Sequence, residues 1–118
     1  MDYSSQPMEK MKMNDLEKKE TYNVLYGIYQ NLLTDKQQLM FENYYILDYS
    51  LSEIAEELNV SRNAVWDTLK KVVQKLEEYE DKLHLYEYNK KLNIKLDELK
   101  KYTNEDGQTI IEEIREME

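Results

Sequence analysis

Apolar residues recur along the chain at intervals of three and four, the spacing of one helix face. Leu16, Val24, Leu25, Ile28, Tyr29 and Leu32 form the first such stripe. It predicts a core-facing helix that starts at Asn14, with Glu17 three residues on as a capping box. Thr34 with Gln37 starts a second helix, whose apolar face is Leu39, Met40, Tyr44 and Leu47, with Phe41 and Tyr45 beside it. Ser50 with Glu53 makes a third box, and Ser61 is a fourth N-cap. Starts this close together imply short helices packed at angles.

After Ser61 the pattern changes. Val65, Leu69, Val72, Leu76, Tyr79, Leu83 and Tyr86 are spaced 4, 3, 4, 3, 4, 3, which is a heptad seam. Such a seam needs a partner. Either the chain covers it, or two subunits pair along Leu69, Val72, Leu76, Tyr79, Leu83 and Tyr86; the sequence reading favours a homodimer. The phase breaks between His84 and Asn89, and Leu85, Tyr88, Leu92, Leu96 and Leu99 continue on another face. The helix bends there, or a fifth helix begins and folds back as a hairpin. Lys100, Lys101, Thr103 and Asn104 close that stretch, Gly107 reads as a turn, and Ile110, Ile111 and Ile114 give a short terminal helix.

The fold class read from this is all-α: a small helical bundle containing a helix-turn-helix, with an extended second helix and a C-terminal helical hairpin. Residues 1–13, polar and Met-rich with the one proline, read as a disordered lead. Residues 14–118 read as a single helical domain, with 50–75 the helix-turn-helix and 76–118 a helical extension.

The stretch LSEIAEELNVSRNAVWDTLK, Leu51 to Lys70, fills each slot of that motif. Ile54 and Leu58 lie one turn apart and face the second helix. Ala55 sits where two helices approach closest. Asn59 occupies the turn position that needs a left-handed backbone, where Asn is the most tolerant residue after Gly. Val60 plugs the space between the helices, and Val65 packs the second helix back. Ser61, Arg62, Asn63, Trp66, Asp67 and Lys70 are left pointing outward. A helix N-terminus favours phosphate, and side chains there reach base edges. Arg62 suits guanine O6 and N7, and Asn63 suits adenine N6 and N7. Lys70, Lys71 and Lys75 suit phosphates, as do Ser50, Ser52 and Lys36. Trp66 admits three readings: folded onto Phe41 or Tyr45, touching a protein partner, or lying against a thymine methyl or a sugar.

Charge complicates this picture. The 118 residues carry a formal net charge of -9, whereas a nucleic-acid binder neutralises phosphates with Lys and Arg. The distribution is uneven. Ser61 to Leu76 holds Arg62, Lys70, Lys71 and Lys75 against Asp67, while Glu77 to Glu87 is strongly acidic. The basic charge therefore sits on the proposed reading helix, and the acids elsewhere keep non-specific affinity low. Asp67 would repel phosphate unless it accepts from a cytosine amine.

Other classes find little support. Two glycines and one proline are too few for the turns of an all-β fold. Cysteine is absent, which excludes disulfides and thiolate chemistry. The one histidine, His84, has no second His or Cys for a metal site, and no Gly-rich phosphate loop occurs. No enzyme activity, metal or cofactor is expected. Tyr44, Tyr45, Tyr79, Tyr86 and Tyr88 fall at core spacing on an acidic background, which assigns them to core or dimer seam before base stacking. With no signal peptide and no apolar run of membrane-spanning length, a cytoplasmic protein without membrane insertion is expected.

Four blocks in tandem are LTDKQ at Leu33 to Gln37, the Tyr44-Tyr45 pair, DYSLSEIAEELNVSRNAVWDTLKK at Asp48 to Lys71, and LEEYEDKLHLY at Leu76 to Tyr86. Together they resemble the YlxM family of small bacterial helix-turn-helix proteins, over roughly Asn14 to Tyr102. The helix-turn-helix alone is similar to region four of sigma-70-type factors, which implies transcription regulation. The family resemblance implies an all-α cytosolic protein with a part in the signal recognition particle pathway, an association that comes from gene neighbourhood. After the Ser-Arg of the second helix the family often has Gln, Ala, Val, Tyr. This chain has Asn63, Ala64, Val65, Trp66, so an aromatic is kept while Asn63 departs from the family's Gln, and a shared base preference does not follow from the resemblance. Two functions follow as expectations: a regulator that binds double-stranded DNA, or a protein- or ribonucleoprotein-interaction module that contacts signal recognition particle components.

Overall fold

A computed structural model describes residues 8–117, with side chains from residue 16 onward. The first apolar stripe winds into α1, Met8–Tyr29. This helix begins ahead of Asn14, so the expected Asn14–Glu17 box does not open it. The reason is compositional: Met, Glu and Lys between Met8 and Met13 are strong helix formers, and neither Gly nor Pro stands among them to stop the helix. Residues 1–7 of the expected lead lie outside the described residues.

Local caps decide where the next helices start. Thr34 opens α2, Asp35–Phe41: its hydroxyl accepts from the Gln37 N–H at 3.2 Å, and the Gln37 side chain accepts from the Thr34 N–H at 2.9 Å. Ser50 and Glu53 repeat the arrangement at the head of α3, Leu51–Leu58, at 3.0 and 2.9 Å. Ser61 Oγ accepts from the Ala64 N–H at 3.0 Å at the start of α4, Arg62–Leu83. Each cap satisfies backbone donors that a helix start leaves without partners.

Between α2 and α3, Glu42–Ile46 widens into a π turn. The wider turn shifts the phase of the apolar pattern. Asn43 becomes buried, while Leu39 and Leu47, expected on the core face, are exposed, and Met40 and Phe41 carry the burial. Tyr26 and Tyr45 each stack on Phe41, with ring centroids 4.4 and 4.7 Å away.

The helix-turn-helix packs as its sequence slots require. Met40, Ile54, Ala55, Val65 and Leu69 form a buried cluster, with Leu58 and Val60 against it. Asn59 is left-handed, at φ 57 and ψ 46. There the N–H of Asn59 donates to the Glu56 carbonyl at 3.3 Å, and that of Val60 to the Ala55 carbonyl at 3.0 Å. These two bonds close the helix in a Schellman arrangement.

The heptad seam is largely covered from inside. Val65, Leu69, Val72 and Leu76 are fully buried on the face of α4 that packs against α1, α2 and α3. Leu69, Val72 and Leu76 are therefore not available to a second subunit, because the apolar faces of the preceding helices already exclude water from them. Tyr79 is engaged as well: its ring lies 5.8 Å from that of Tyr29, and its hydroxyl donates to the Leu32 carbonyl at 3.3 Å. Tyr29 in turn donates to Glu80 at 2.7 Å. Of the expected pairing residues only Leu83 and Tyr86 lie beyond this packing.

The chain divides into two compact units, the first ending at Leu83 and the second starting at His84. His84 is left-handed at φ 56, so α4 stops there and a new helix, α5, Leu85–Lys100, begins. An antiparallel partner, α6, Glu105–Glu116, completes the second unit. Leu96 and Ile111 are its buried residues, and Arg115 donates to Asn93 at 2.8 Å and to Asp97 at 2.6 Å. Gly107 does not form a turn ahead of α6. It lies within the first turn, where its N–H donates to the Asn104 cap at 2.9 Å. A Cβ at Gly107 would run into the Thr103 side chain, which accounts for glycine in a helical position. Six α-helices and no strand occur among the described residues, an all-α fold.

Candidate nucleic-acid interface

The face of α4 opposite its buried row is polar. Residues four apart on a helix lie one above the other, so the exposed side chains fall into two rows. Arg62, Trp66 and Lys70 form one, and Asn63, Asp67, Lys71 and Lys75 the other, all exposed. The same helix thus carries the core on Val65, Leu69, Val72 and Leu76 and a solvent-facing set on the residues between them. Rigid packing of the back face fixes the front face without any further contact.

All the residues expected to meet nucleic acid are at the surface, but not on one element. Ser61, Arg62, Asn63, Trp66, Lys70, Lys71 and Lys75 belong to α4 and its cap. Ser50 and Ser52 sit at the first turn of α3, where Ser50 Oγ is already engaged by the Glu53 N–H. Lys36 lies apart, in the first turn of α2. The Glu53 carboxyl accepts from the Ser50 backbone N–H and bonds with its hydroxyl, and these hold it below the usual carboxylate range. An anion at the α3 N-terminus therefore meets a fixed negative charge.

The electrostatics of the α4 face are mixed. Lys70 Nζ lies 3.7 Å from Asp67 Oδ1, a loose surface pair that offsets part of the charge of the lysine. Arg62, Lys71 and Lys75 add positive charge around that pair. Trp66 settles between its expected environments. It does not join the Phe41 ring cluster, it is 42% exposed, and with Tyr44, Tyr45, Asp48, Tyr49 and Lys19 it lines a cleft of about 340 Å³. The sequence reading missed Lys19, Asp48 and Tyr49. Of the residues lining the cleft, the sequence singles out Trp66 and assigns the Tyr44-Tyr45 pair to core or dimer seam.

A short capped helix joined through a left-handed Asn to a longer capped helix that presents an ordered polar face defines a helix-turn-helix protein. The chain belongs to the UPF0122 family, described as "Putative helix-turn-helix protein, YlxM / p13 like", whose model matches residues 16–117. A UPF0122 protein of Lactococcus lactis subsp. cremoris (strain MG1363) is 46% identical over 105 residues, 88% of this chain and 93% of the relative. One from Bacillus thuringiensis (strain Al Hakam) is 42% identical over 109 residues, covering 87% and 99%. One from Streptococcus suis (strain 98HAH33) is 53% identical over 76 residues, covering 64% and 67%. Among the described residues no helix is long and apolar enough to cross a membrane, and no acidic or histidine cluster is arranged to hold a metal.

Proposed function

We propose that this protein binds double-stranded DNA through α4 as a regulator, with no catalytic role. One observation carries the reading: α4 buries Val65, Leu69, Val72 and Leu76 completely and leaves Arg62, Asn63, Trp66, Lys70, Lys71 and Lys75 exposed in two rows on the other side. In this reading Arg62 and Asn63 meet base edges from the first turn, and Lys70, Lys71 and Lys75 hold phosphates. Binding weakens steeply with salt, because each neutralised phosphate releases counterions. The test is a salt titration of duplexes recovered by genomic selection. Arg62→Ala with Lys70→Ala should lower affinity, and the loss of the Lys70 phosphate contact should flatten the salt slope by about one. Failure to recover any duplex at low salt would sink the reading.

A second reading is supported by the acidity of the chain and by Asp67, which stands in the middle of the polar face and pairs with Lys70. In it, the helix-turn-helix is a scaffold for contact with a basic protein or ribonucleoprotein, and the family resemblance points to signal recognition particle components. A pull-down that recovers neither particle protein nor particle RNA counts against it. A homodimer, useful for reading two half-sites, belongs to the first reading. One surface that could serve it is on the second unit, where Tyr88, Ile94 and Leu99 are exposed.

A further inference from the structure

The cleft beside Trp66 is walled by four aromatic rings, and they are not equivalent. Tyr44 and Tyr45 meet edge to face, with centroids 5.0 Å apart and planes at 89°, and Tyr45 also stacks on Phe41. Trp66 and Tyr49 have no such partner: among the described residues no ring of the chain stacks on either, and they remain 42% and 39% exposed. An indole and a phenol left partly open on one cleft forgo apolar burial that the fold could have used. They are a stacking surface awaiting a flat ring.

The polar wall narrows the choice. Lys19 Nζ donates to Asp48 Oδ1 at 2.8 Å, and Asp48 is held there in a left-handed turn at φ 60. The pair is charge-compensated, so the cleft favours neither a bare cation nor a bare anion. It offers a donor beside an acceptor, with ammonium hydrogens and a carboxylate oxygen to spare. A planar heteroaromatic ring with adjacent donors and acceptors on its edge meets both demands, and a nucleobase is such a ring. A volume of about 340 Å³ accommodates it.

Position supplies the last argument. Trp66 is the middle member of the Arg62–Trp66–Lys70 row, and Tyr49 immediately precedes Ser50, the cap of α3. The cleft is therefore continuous with the face assigned to nucleic acid. We propose that it is a stacking subsite for one unpaired nucleobase of the strand that lies across α4. This rests on the nucleic-acid reading of that helix and adds that the preferred ligand carries an unpaired nucleotide. Stacking accepts any base, because every base has a π face, so the subsite reads the absence of pairing rather than the sequence.

Trp66 is the one tryptophan of the chain, so its emission reports on the cleft directly. The test compares a blunt duplex from the selection above with the same duplex carrying a single-nucleotide bulge. The bulged duplex should bind about tenfold tighter, ~1.4 kcal/mol, and quench Trp66 more deeply. Tyr49→Ala should remove that gain and leave blunt-duplex affinity unchanged, while Tyr49→Phe retains it. Equal binding of the two duplexes overturns the subsite, as does a gain that survives Tyr49→Ala. If neither duplex binds, the duplex reading of α4 fails by itself, and oligothymidine decides the cleft. Quenching of Trp66 that Tyr49→Ala abolishes upholds base stacking; no quenching ends it.

Discussion

Asn59 shows how much one backbone angle can determine. At φ 57 an ordinary L residue costs about 1–2 kcal/mol, a cost that Asn partly avoids and Gly escapes. Urea denaturation should rank Asn59→Gly at or above the parent, and Asn59→Ala about 1 kcal/mol below it. If Ala were tolerated without loss, the left-handed turn would not be a determinant of the motif. Glu53 gives a pH-dependent counterpart. Its folded-state pKa is depressed from 4.5 by the Ser50 backbone N–H and then by the Ser50 hydroxyl. Its contribution is therefore present above the unfolded pKa and lost as pH falls through the folded one. The stability gap between the parent and Glu53→Gln, measured by urea midpoints, should be open at neutral pH and close on acidification. A gap constant with pH would contradict the assignment. These residues were legible in the sequence because a cap speaks to a partner three residues away. The cleft was not: Lys19 and Asp48 are 29 residues apart and meet only through packing.

Elements are where spacing alone misleads. A four-three repeat says that α4 has an apolar stripe but not what covers it. The sequence pattern from Val65 to Tyr86 would serve a dimer seam equally well. The structure gives Val65, Leu69, Val72 and Leu76 to α1, α2 and α3 instead. Leu76→Ala should therefore cost about 2–5 kcal/mol, as a truncation in a closed core does, and by the same amount at every protein concentration. A loss that shrinks on dilution would restore the seam to a subunit interface. The π turn at Glu42–Ile46 was equally hidden, since one extra residue in a turn leaves no mark in composition while it moves Asn43 inward and Leu47 out. Gly107 misled in the other direction. It reads as a turn by type, and it sits in a helix because of the nearby Thr103 side chain.

At the scale of the molecule the two units differ in self-sufficiency. The first has a core drawn from four helices. The second, beginning at His84, buries among its described residues only Leu96 and Ile111 and leaves Tyr88, Ile94, Leu99 and Ile110 exposed, with no cysteine anywhere in the chain to staple it. Units of this size do not usually hold together unaided. A peptide of residues 84–118 should show weak helical circular dichroism when dilute and gain helix as its concentration rises. Full helicity at high dilution would show the hairpin to be independent. The all-α class was legible from caps and stripes, and the phase break at His84 to Asn89 marked where α4 ends, but spacing did not show that the chain divides into two units there.

The division of labour along α4 has a consequence for how such a molecule changes over time. Arg62, Asn63, Trp66, Asp67, Lys70 and Lys71 are all exposed, so each can be exchanged with little disturbance to the buried row behind them. Specificity can therefore drift or be rewritten while the scaffold stays still. For an engineer, the helix is a cassette: six outward positions can be randomised in a library in which nearly every member folds, and new ligands selected from it without redesigning the protein beneath.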